Sequence, residues 1–219
     1  MAGLSDARST AAPHPAEAYG DASLAGGSRL MYARQRTPLR PGILLDRDGT
    51  IIVDKVYLKD PDGIEFAQGA IEGLRLLKDA GFAFAVITNQ SGVARGYFDA
   101  ATVERIHRRL QLLLAAEGLR LDAIYFCPHG PEDQCDCRKP GPDMVKSAMR
   151  DLGFHPDETV VIGDSDADMQ AAAAAGVRGV RVAPLGQCGV SGAAADFLEA
   201  AQRACALLAD RNGGESACT

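Results

Sequence analysis

The chain has 219 residues, of which 47% are hydrophobic and 24% charged, a composition typical of one folded domain with a substantial core. Its 23 basic residues are outnumbered by 29 acidic ones, and the net charge of -6 argues against nucleic acid as a partner because both would be negative. Apolar runs such as 83–87 are far shorter than the roughly 20 residues that a membrane span needs, so we expect no membrane partner.

Residues 1–40 are predicted to form a flexible N-terminal tail and a strap that precede one folded domain, residues 41–219. Residues 1–28 are rich in Ala, Ser, Gly, Asp and Pro and offer little large apolar surface to bury. The arginine-rich segment 29–40 fits a strap on the body, or a solvated linker, better than a binding site for an anionic surface.

From Pro41 onward, short apolar runs alternate with segments of helical periodicity. The predicted strands are 42–45, 83–88, 123–127, 159–163 and 178–183. The predicted helices are 69–80, 99–117, 143–152, 167–175 and 194–209, with Asp99 as an N-cap. This alternation predicts an α/β fold with a parallel, doubly wound sheet, in which ligands bind beyond the carboxyl ends of the strands.

Acidic residues follow two of these strands. Asp46 and Asp48 follow the first strand, and Asp164 follows the fourth. Three carboxylates that converge repel one another unless a hard divalent cation such as Mg²⁺ lies between them. A lone Asp-x-Asp pair is also common in turns and helix caps, but polar residues at four strand ends favour a magnesium site that shares its ion with a phosphate.

Three of the six cysteines lie close together with a histidine. Cys127, His129, Cys135 and Cys137 offer three thiolates and an imidazole, the ligand set of a closed structural zinc site. A disulfide or coincidental thiols are the alternatives. Clustered thiols beside a histidine also favour a reducing cytoplasm as the location.

The motifs Asp46-x-Asp48-Gly49-Thr50, Thr88, Lys139 and Gly163-Asp164 resemble, in this order, the haloacid dehalogenase superfamily of phosphatases. Within it, residues 46–50, residues 88–92 and the Cys/His loop that runs into Lys139 are similar to the D-glycero-D-manno-heptose 1,7-bisphosphate 7-phosphatases. The similarity covers roughly residues 42–185. The intervals between the motifs already hold a helix and loops each, so we expect no large cap domain and a small substrate.

The resemblance implies a role for each motif residue. Asp46 would be the nucleophile that forms an aspartyl-phosphate, and Asp48 the general acid and base. Thr88 and Lys139 would hold the phosphoryl group. Magnesium would bind the Asp46 carboxylate, the Asp48 backbone carbonyl and Asp164. Substrate contacts would come from a further set: Asp54, Lys55, Val56, Tyr57, Asn89, Gln90, Ser91, Arg138 and Ser165.

The resulting hypothesis is a Mg²⁺-dependent phosphatase that removes the 7-phosphate of heptose 1,7-bisphosphate in nucleotide-activated heptose biosynthesis. Histidinol-phosphate phosphatase is the enzymatic alternative, because related enzymes carry a similar zinc loop. A zinc-stapled phosphate-binding module without turnover is the alternative of another class, although the presence of both Asp46 and Asp48 argues against it. We expect a monomer with a small phosphorylated sugar as its partner. Ile52 stands where related sequences commonly carry Asn, which leaves the contacts of the substrate loop open.

Overall fold

The computed structural model describes residues 22–23, 29–30, 40–183 and 192–209. Most of the predicted tail and strap, and also Cys188 and Cys218, lie outside these residues. The described strands are β1 (Ala22–Ser23), β2 (Arg29–Leu30), β3 (Arg40–Leu45), β4 (Ala83–Asn89), β5 (Ala123–Cys127), β6 (Phe154–Gly163) and β7 (Arg178–Arg181). The described helices are α1 (Ala70–Asp79), α2 (Ala100–Ala116), α3 (Asp143–Leu152), α4 (Asp166–Ala174) and α5 (Phe197–Ala209).

One sheet with the order β1-β2-β5-β4-β3-β6-β7 joins all of these strands. The five strands from β5 to β7 are parallel, whereas β1 and β2 pair antiparallel at the β5 edge. The chain runs from β3 to β4 and β5 on one side and then returns to β6 on the other side of β3. This confirms the doubly wound α/β fold and puts the switch point, where such sheets bind ligands, at the carboxyl end of β3.

Successive side chains of a strand point to opposite faces of the sheet, and helices cover both faces. On one face, Ile43 and Leu45 pack with apolar residues of α1, α2 and α5. On the other face, Leu44 packs with residues of α3 and α4. Within the described residues, no helix is long and apolar enough to cross a membrane.

Several predicted boundaries need correction. Strand β6 begins at Phe154 instead of residue 159, because Phe154 pairs with Arg40. A register shift follows this pair, and the exposed residues after Phe154 do not have the apolar pattern of a buried strand. Strand β7 ends at Arg181, and α5 begins at Phe197 instead of 194 because Ala194 forms a bridge with Val182. The predicted cap of α2 is confirmed, since the Asp99 carboxylate accepts a hydrogen bond from the Thr102 amide at 2.8 Å.

The connection from β3 to α1 stays short and folds back on itself. Val53 donates to the carbonyl of Glu65 at 2.9 Å, and Ala67 donates to that of Ile51 at 3.1 Å. Ile52 is fully buried in the core beside this connection, so its side chain does not face a substrate. The connection has no room for an inserted domain, in line with the predicted absence of a large cap.

The described residues of β2 pair with β5 at the edge of the parallel strands. Arg29 lies opposite Phe126, and Leu30 lies opposite Tyr125. The division of the chain at residue 40 into a tail with a strap and a domain stays a prediction.

Candidate active site

The carboxyl ends of β3 and β6 bring three carboxylates together. Asp46 follows β3, Asp164 follows β6, and Asp168 lies in the first turn of α4. Ligand oxygens of the three lie within 4.8 Å of one another. The site therefore forms at the switch point of the sheet, where the sequence places Asp46 and Asp164.

Lys139 connects these carboxylates although it is far away in the sequence. Its side chain is buried, and Nζ lies 2.6 Å from Asp46 Oδ1 and 2.5 Å from Asp168 Oδ1. Nζ also donates to the carbonyl of Ile87 in β4 at 2.7 Å. Burial alone would lower the pKa of Lys139, but Asp46 and Asp168 outweigh it and raise that pKa, so the ammonium stays charged.

The carboxylates carry more negative charge than one lysine offsets. Burial raises the pKa of Asp46 to about 8; Lys139 opposes this shift, and neighbouring carboxylates add to it. Burial, followed by the charge of Asp168, raises the pKa of Asp164 to about 6. A divalent cation among these oxygens would remove the repulsion, so the donor set fits Mg²⁺.

Two glycines allow this close approach. Gly49 has a φ of +77°, and a Cβ at this position would lie 2.3 Å from Asp164 Oδ2. A Cβ on Gly163 would lie 2.4 Å from the Asp168 carboxyl carbon. Both distances are far below van der Waals contact, so only glycine lets the turn after β3 and the start of α4 close around the carboxylates.

Asp168 is the functional candidate that the sequence reasoning missed. Its Oδ2 accepts from the Ser165 hydroxyl at 2.5 Å and from the Ser165 amide at 3.1 Å, while Ser165 Oγ accepts from the Asp168 amide. The reciprocal pattern is a capping box, and Ser-x-x-Asp after a strand is its sequence signal. The same carboxylate thus starts α4 and contacts Lys139.

Several predicted substrate residues make hydrogen bonds within the protein, and their contact with a substrate stays a prediction. Asn89 exchanges two hydrogen bonds of 3.0 Å with the backbone of Lys139 and so fixes the lysine loop. Gln90 donates to Asp48, and Ser165 caps α4. Arg138 donates to the carbonyl of His129 at 3.2 Å, which holds it against the Cys/His loop.

The loop after β3 supplies the predicted contacts that stay open to solvent. The charge of Asp54 adds to the effects of burial and of Asp168 that raise the pKa of Asp164, and Lys55 pairs with Glu65 at 2.5 Å. Val56 and Tyr57 are 73% and 37% exposed. Both have positive φ angles, of 46° and 68°, which non-glycine residues seldom adopt.

The loop between β4 and α2 meets this segment. The Tyr57 and Tyr97 rings pack edge to face with their centroids 4.7 Å apart. Tyr97 also lines a cleft of about 670 Å³ with Lys59, Phe98 and Arg105. Ser91 starts the same loop, and its carbonyl accepts from the Arg95 amide at 3.0 Å. Tyr97 thus links the loop between β4 and α2 to the loop that carries Tyr57.

The four predicted zinc ligands converge in one cluster. The Sγ–Sγ separations among Cys127, Cys135 and Cys137 are 3.2, 3.6 and 3.6 Å, and His129 Nδ1 lies 3.5 and 3.3 Å from Cys127 and Cys137. A tetrahedron with Zn–S bonds of about 2.3 Å has edges of about 3.8 Å, close to these values. No disulfide joins the three cysteines. The cluster therefore fits zinc.

The site combines a buried carboxylate at the end of a parallel strand, a lysine paired with it and further carboxylates at the switch point. This combination defines a metal-dependent phosphohydrolase of the haloacid dehalogenase type. The HAD-hydrolase-like family model matches residues 136–207. This match covers the lysine loop and the α4 carboxylates, but not the turn after β3.

Relatives match a longer part of the chain. The chain is 46% identical over 144 residues to the D-glycero-beta-D-manno-heptose-1,7-bisphosphate 7-phosphatase of Escherichia coli O6:H1, covering 63% of this chain and 76% of the relative. It is 37% identical over 155 residues to the enzyme of the same name from Pasteurella multocida, covering 68% and 84%. The crystal structure of D,D-heptose 1,7-bisphosphate phosphatase from B. bronchiseptica, complexed with magnesium and phosphate, has 35% identity and a TM-score of 0.67 over 75% of this chain and 97% of that one. The chain belongs to this family of haloacid dehalogenase-like phosphatases.

We predict that Gly49→Ala weakens Mg²⁺ binding, because the new Cβ collides with the Asp164 carboxylate. The expected loss of Mg²⁺ affinity is about 10- to 100-fold, measured by titration calorimetry and by the Mg²⁺ dependence of phosphate release. Gly118→Ala is the matched control, since Gly118 also has a positive φ of 70° but has nothing within 4 Å of its Cβ position. Equal Mg²⁺ affinities of the two variants would contradict this role of Gly49.

For the Cys/His cluster, we predict about one zinc atom per purified chain, measured by elemental analysis. Cys137→Ala should lower the zinc content and the melting temperature, because it removes a buried ligand. Cys205→Ala, in α5 and outside the cluster, should keep the zinc. Metal-free wild-type protein with reduced thiols and an unchanged cooperative melt would contradict a structural zinc site.

Proposed function

We propose that the chain removes the 7-phosphate of D-glycero-β-D-manno-heptose 1,7-bisphosphate as a Mg²⁺-dependent phosphoric monoester hydrolase, in nucleotide-activated heptose biosynthesis. The observation that carries this proposal is the buried Asp46–Lys139 pair at the switch point, 2.6 Å between Oδ1 and Nζ, with the Asp48 carboxylate two residues along the same turn. The names of the curated relatives support the choice of heptose bisphosphate.

In the first step, a carboxylate oxygen of Asp46 attacks the phosphorus and the bond from phosphorus to the sugar oxygen breaks. Asp48 gives its proton to that oxygen, so the sugar leaves as an alcohol. Lys139 favours the ionised, nucleophilic form of Asp46 by its charge, against the effect of burial. The product on the protein is an aspartyl-phosphate.

In the second step, water attacks the phosphorus and gives its proton to Asp48, which is now a carboxylate. The bond between Asp46 and phosphorus breaks, and phosphate and the free carboxylate result. One residue thus serves as acid and then as base, and the protein returns to its starting protonation state.

Thr88 and Lys139 are the donors for the phosphoryl oxygens. Thr88 is buried, and its Oγ1 accepts a hydrogen bond from Nε2 of the Gln90 side chain at 2.9 Å. Since that contact uses the oxygen as acceptor, the Thr88 hydroxyl hydrogen stays available for a phosphoryl oxygen. Donors fixed before the reaction stabilise the charge that develops in the transition state.

Asp46, Asp164 and the backbone carbonyl of Asp48 would hold Mg²⁺, with Asp168 beside them. When bound, the ion offsets the charge of the phosphate and of the carboxylates together. Zinc has a different task, because a site closed by four protein ligands leaves no position for water. Bound there, zinc would fix the loop that carries Arg138 and Lys139.

Substrate selection falls to the loop of Asp54, Lys55, Val56 and Tyr57 and to the loop that ends at Phe98. The contact between Tyr57 and Tyr97 joins the two loops. Arg138 and Ser91 lie on neighbouring connections and would contact the sugar or its phosphates. We place the reaction in the cytoplasm, where clustered thiols stay reduced, and we propose that the chain acts as a monomer without nucleic acid or membrane partners.

We predict that the β-anomer of heptose 1,7-bisphosphate has the highest kcat/KM in a panel with the α-anomer, fructose 1,6-bisphosphate and histidinol phosphate. Phosphate release with Mg²⁺ measures each value, and we expect an advantage of about 100-fold over histidinol phosphate because groups built to pair with the sugar stay unpaired with the wrong substrate. A preference for histidinol phosphate would overturn the substrate, and tight phosphate binding without turnover would support a binding module instead.

We predict that Asp46→Asn lowers kcat by at least about a thousandfold, because the amide is no nucleophile. Asp166→Asn is the matched control, since Asp166 is an exposed carboxylate in the first turn of α4 that pairs with Arg181 and lies outside the cluster of Asp46, Asp164 and Asp168. Circular dichroism should show both variants folded. Substantial turnover by folded Asp46→Asn would rule out the aspartyl-phosphate.

A further inference from the structure

Arg47, the middle residue of the Asp-x-Asp motif, is buried in an unusual way for an arginine. Its side chain is 1% exposed and is among the largest fully buried side chains of the described residues. Removing a guanidinium from water is costly unless its donors are paired. Its contacts therefore indicate what it does.

Most of these contacts are made with the Asp48 carboxylate. Nε and Nη2 donate to Oδ2 at 3.1 and 2.8 Å, and Nη2 also donates to Oδ1 at 3.0 Å. The Gln90 amide nitrogen donates to the same Oδ2 at 2.9 Å. Arg47 donates in turn to Gln90 Oε1 at 3.0 Å, so the two side chains hold the carboxylate as one unit.

The hydrogen bonds are unevenly divided between the two carboxylate oxygens. Oδ2 accepts three of them, whereas Oδ1 accepts one. An oxygen with three donors has no lone pair left for a proton, so a proton on Asp48 belongs on Oδ1. The arrangement leaves Oδ1 as the oxygen that can carry the proton.

His107 of α2 contacts the Arg47 nitrogen that does not bind Asp48. It is fully buried, and its Nε2 lies 3.0 Å from Arg47 Nη1. Because a guanidinium only donates, this nitrogen accepts, and the ring proton belongs on Nδ1. Burial, together with Arg47, keeps the pKa of His107 well below its usual value. A neutral acceptor anchors Arg47 without drawing its charge away from Asp48, as a carboxylate in the same place would.

We propose that Arg47 is a positioning residue, anchored by His107, which with Gln90 holds the Asp48 carboxyl so that Oδ1 delivers the proton to the leaving oxygen. This inference rests on the proposed function, since it requires Asp48 to be the general acid. It adds a task for the residue between the two motif carboxylates and for a histidine on a helix outside the motifs.

The test compares two leaving groups in kcat/KM, which reports the steps up to loss of the leaving group. Without an acid, the sugar of heptose bisphosphate would have to leave as an unstable alkoxide, whereas p-nitrophenyl phosphate loses a stable anion that needs no proton. For Arg47→Met we expect kcat/KM to fall about 100-fold for the sugar substrate, because a misplaced acid loses about this factor. The value for p-nitrophenyl phosphate should stay within about threefold, since no acid acts on it. An equal fall for both substrates would overturn the proposal.

Asp48→Asn separates this inference from the function on which it rests. If Asp48 is the acid, this variant loses activity selectively on the sugar substrate. Equal losses on both substrates would remove Asp48 from the acid role, and the proposed mechanism would fail with it. A selective loss in Asp48→Asn without one in Arg47→Met would overturn the positioning role alone.

Substitutions at His107 decide the matter if Arg47→Met does not fold. His107→Gln keeps an acceptor for Arg47 and should keep the wild-type ratio of the two kcat/KM values. His107→Leu removes the acceptor and should lower the ratio by about tenfold, as loosening an outer contact typically does. Identical ratios in the two folded variants would count against the anchor and overturn the proposal.

Discussion

The buried Lys139 ammonium is the interaction on which the rest of the site depends. It contacts Asp46 after β3, Asp168 in α4 and a carbonyl of β4, so one charge ties three elements together. With Asp164 beside them, the carboxylates outnumber it, and burial leaves the pKa values of Asp46 and Asp164 raised. A buried ion pair of this kind seldom adds much stability. Its use is to keep a nucleophile and a cation site in place together.

The Cys/His loop helps to hold Lys139 in place. Lys139 comes from the connection between β5 and α3, and a connection of that length without regular structure would move relative to the sheet. Cys137 lies two residues before it in the metal cluster, and Asn89 fixes its backbone with two hydrogen bonds to the end of β4. The lysine is thus held from both sides, which explains why the cluster adjoins a site whose chemistry does not use it.

The sequence was informative where local pattern decides structure. Five parallel strands and the Asp99 cap follow from periodicity and cap chemistry, and the Cys/His spacing predicts the metal cluster. Direction of side chains was harder to predict. Asn89, Gln90 and Ser165 follow strand ends, and within the protein their side chains contact Lys139, Asp48 and Asp168. Such contacts join residues that are distant in sequence or that lie in the first turn of a helix. The periodicity of apolar residues does not predict them.

The two carboxylates of the Asp46-x-Asp48 motif have different charged and polar partners. Asp46 has Lys139 and the metal position, whereas Asp48 has Arg47 and Gln90. Two neighbouring carboxylates with separate partners can differ in role although they have the same chemistry. The separate partners also hold the two side chains apart, because a cation shared by both carboxylates would draw them to one point. The turn after β3 can therefore place a nucleophile and a proton donor two residues apart, and Gly49 lets that turn close on Asp164.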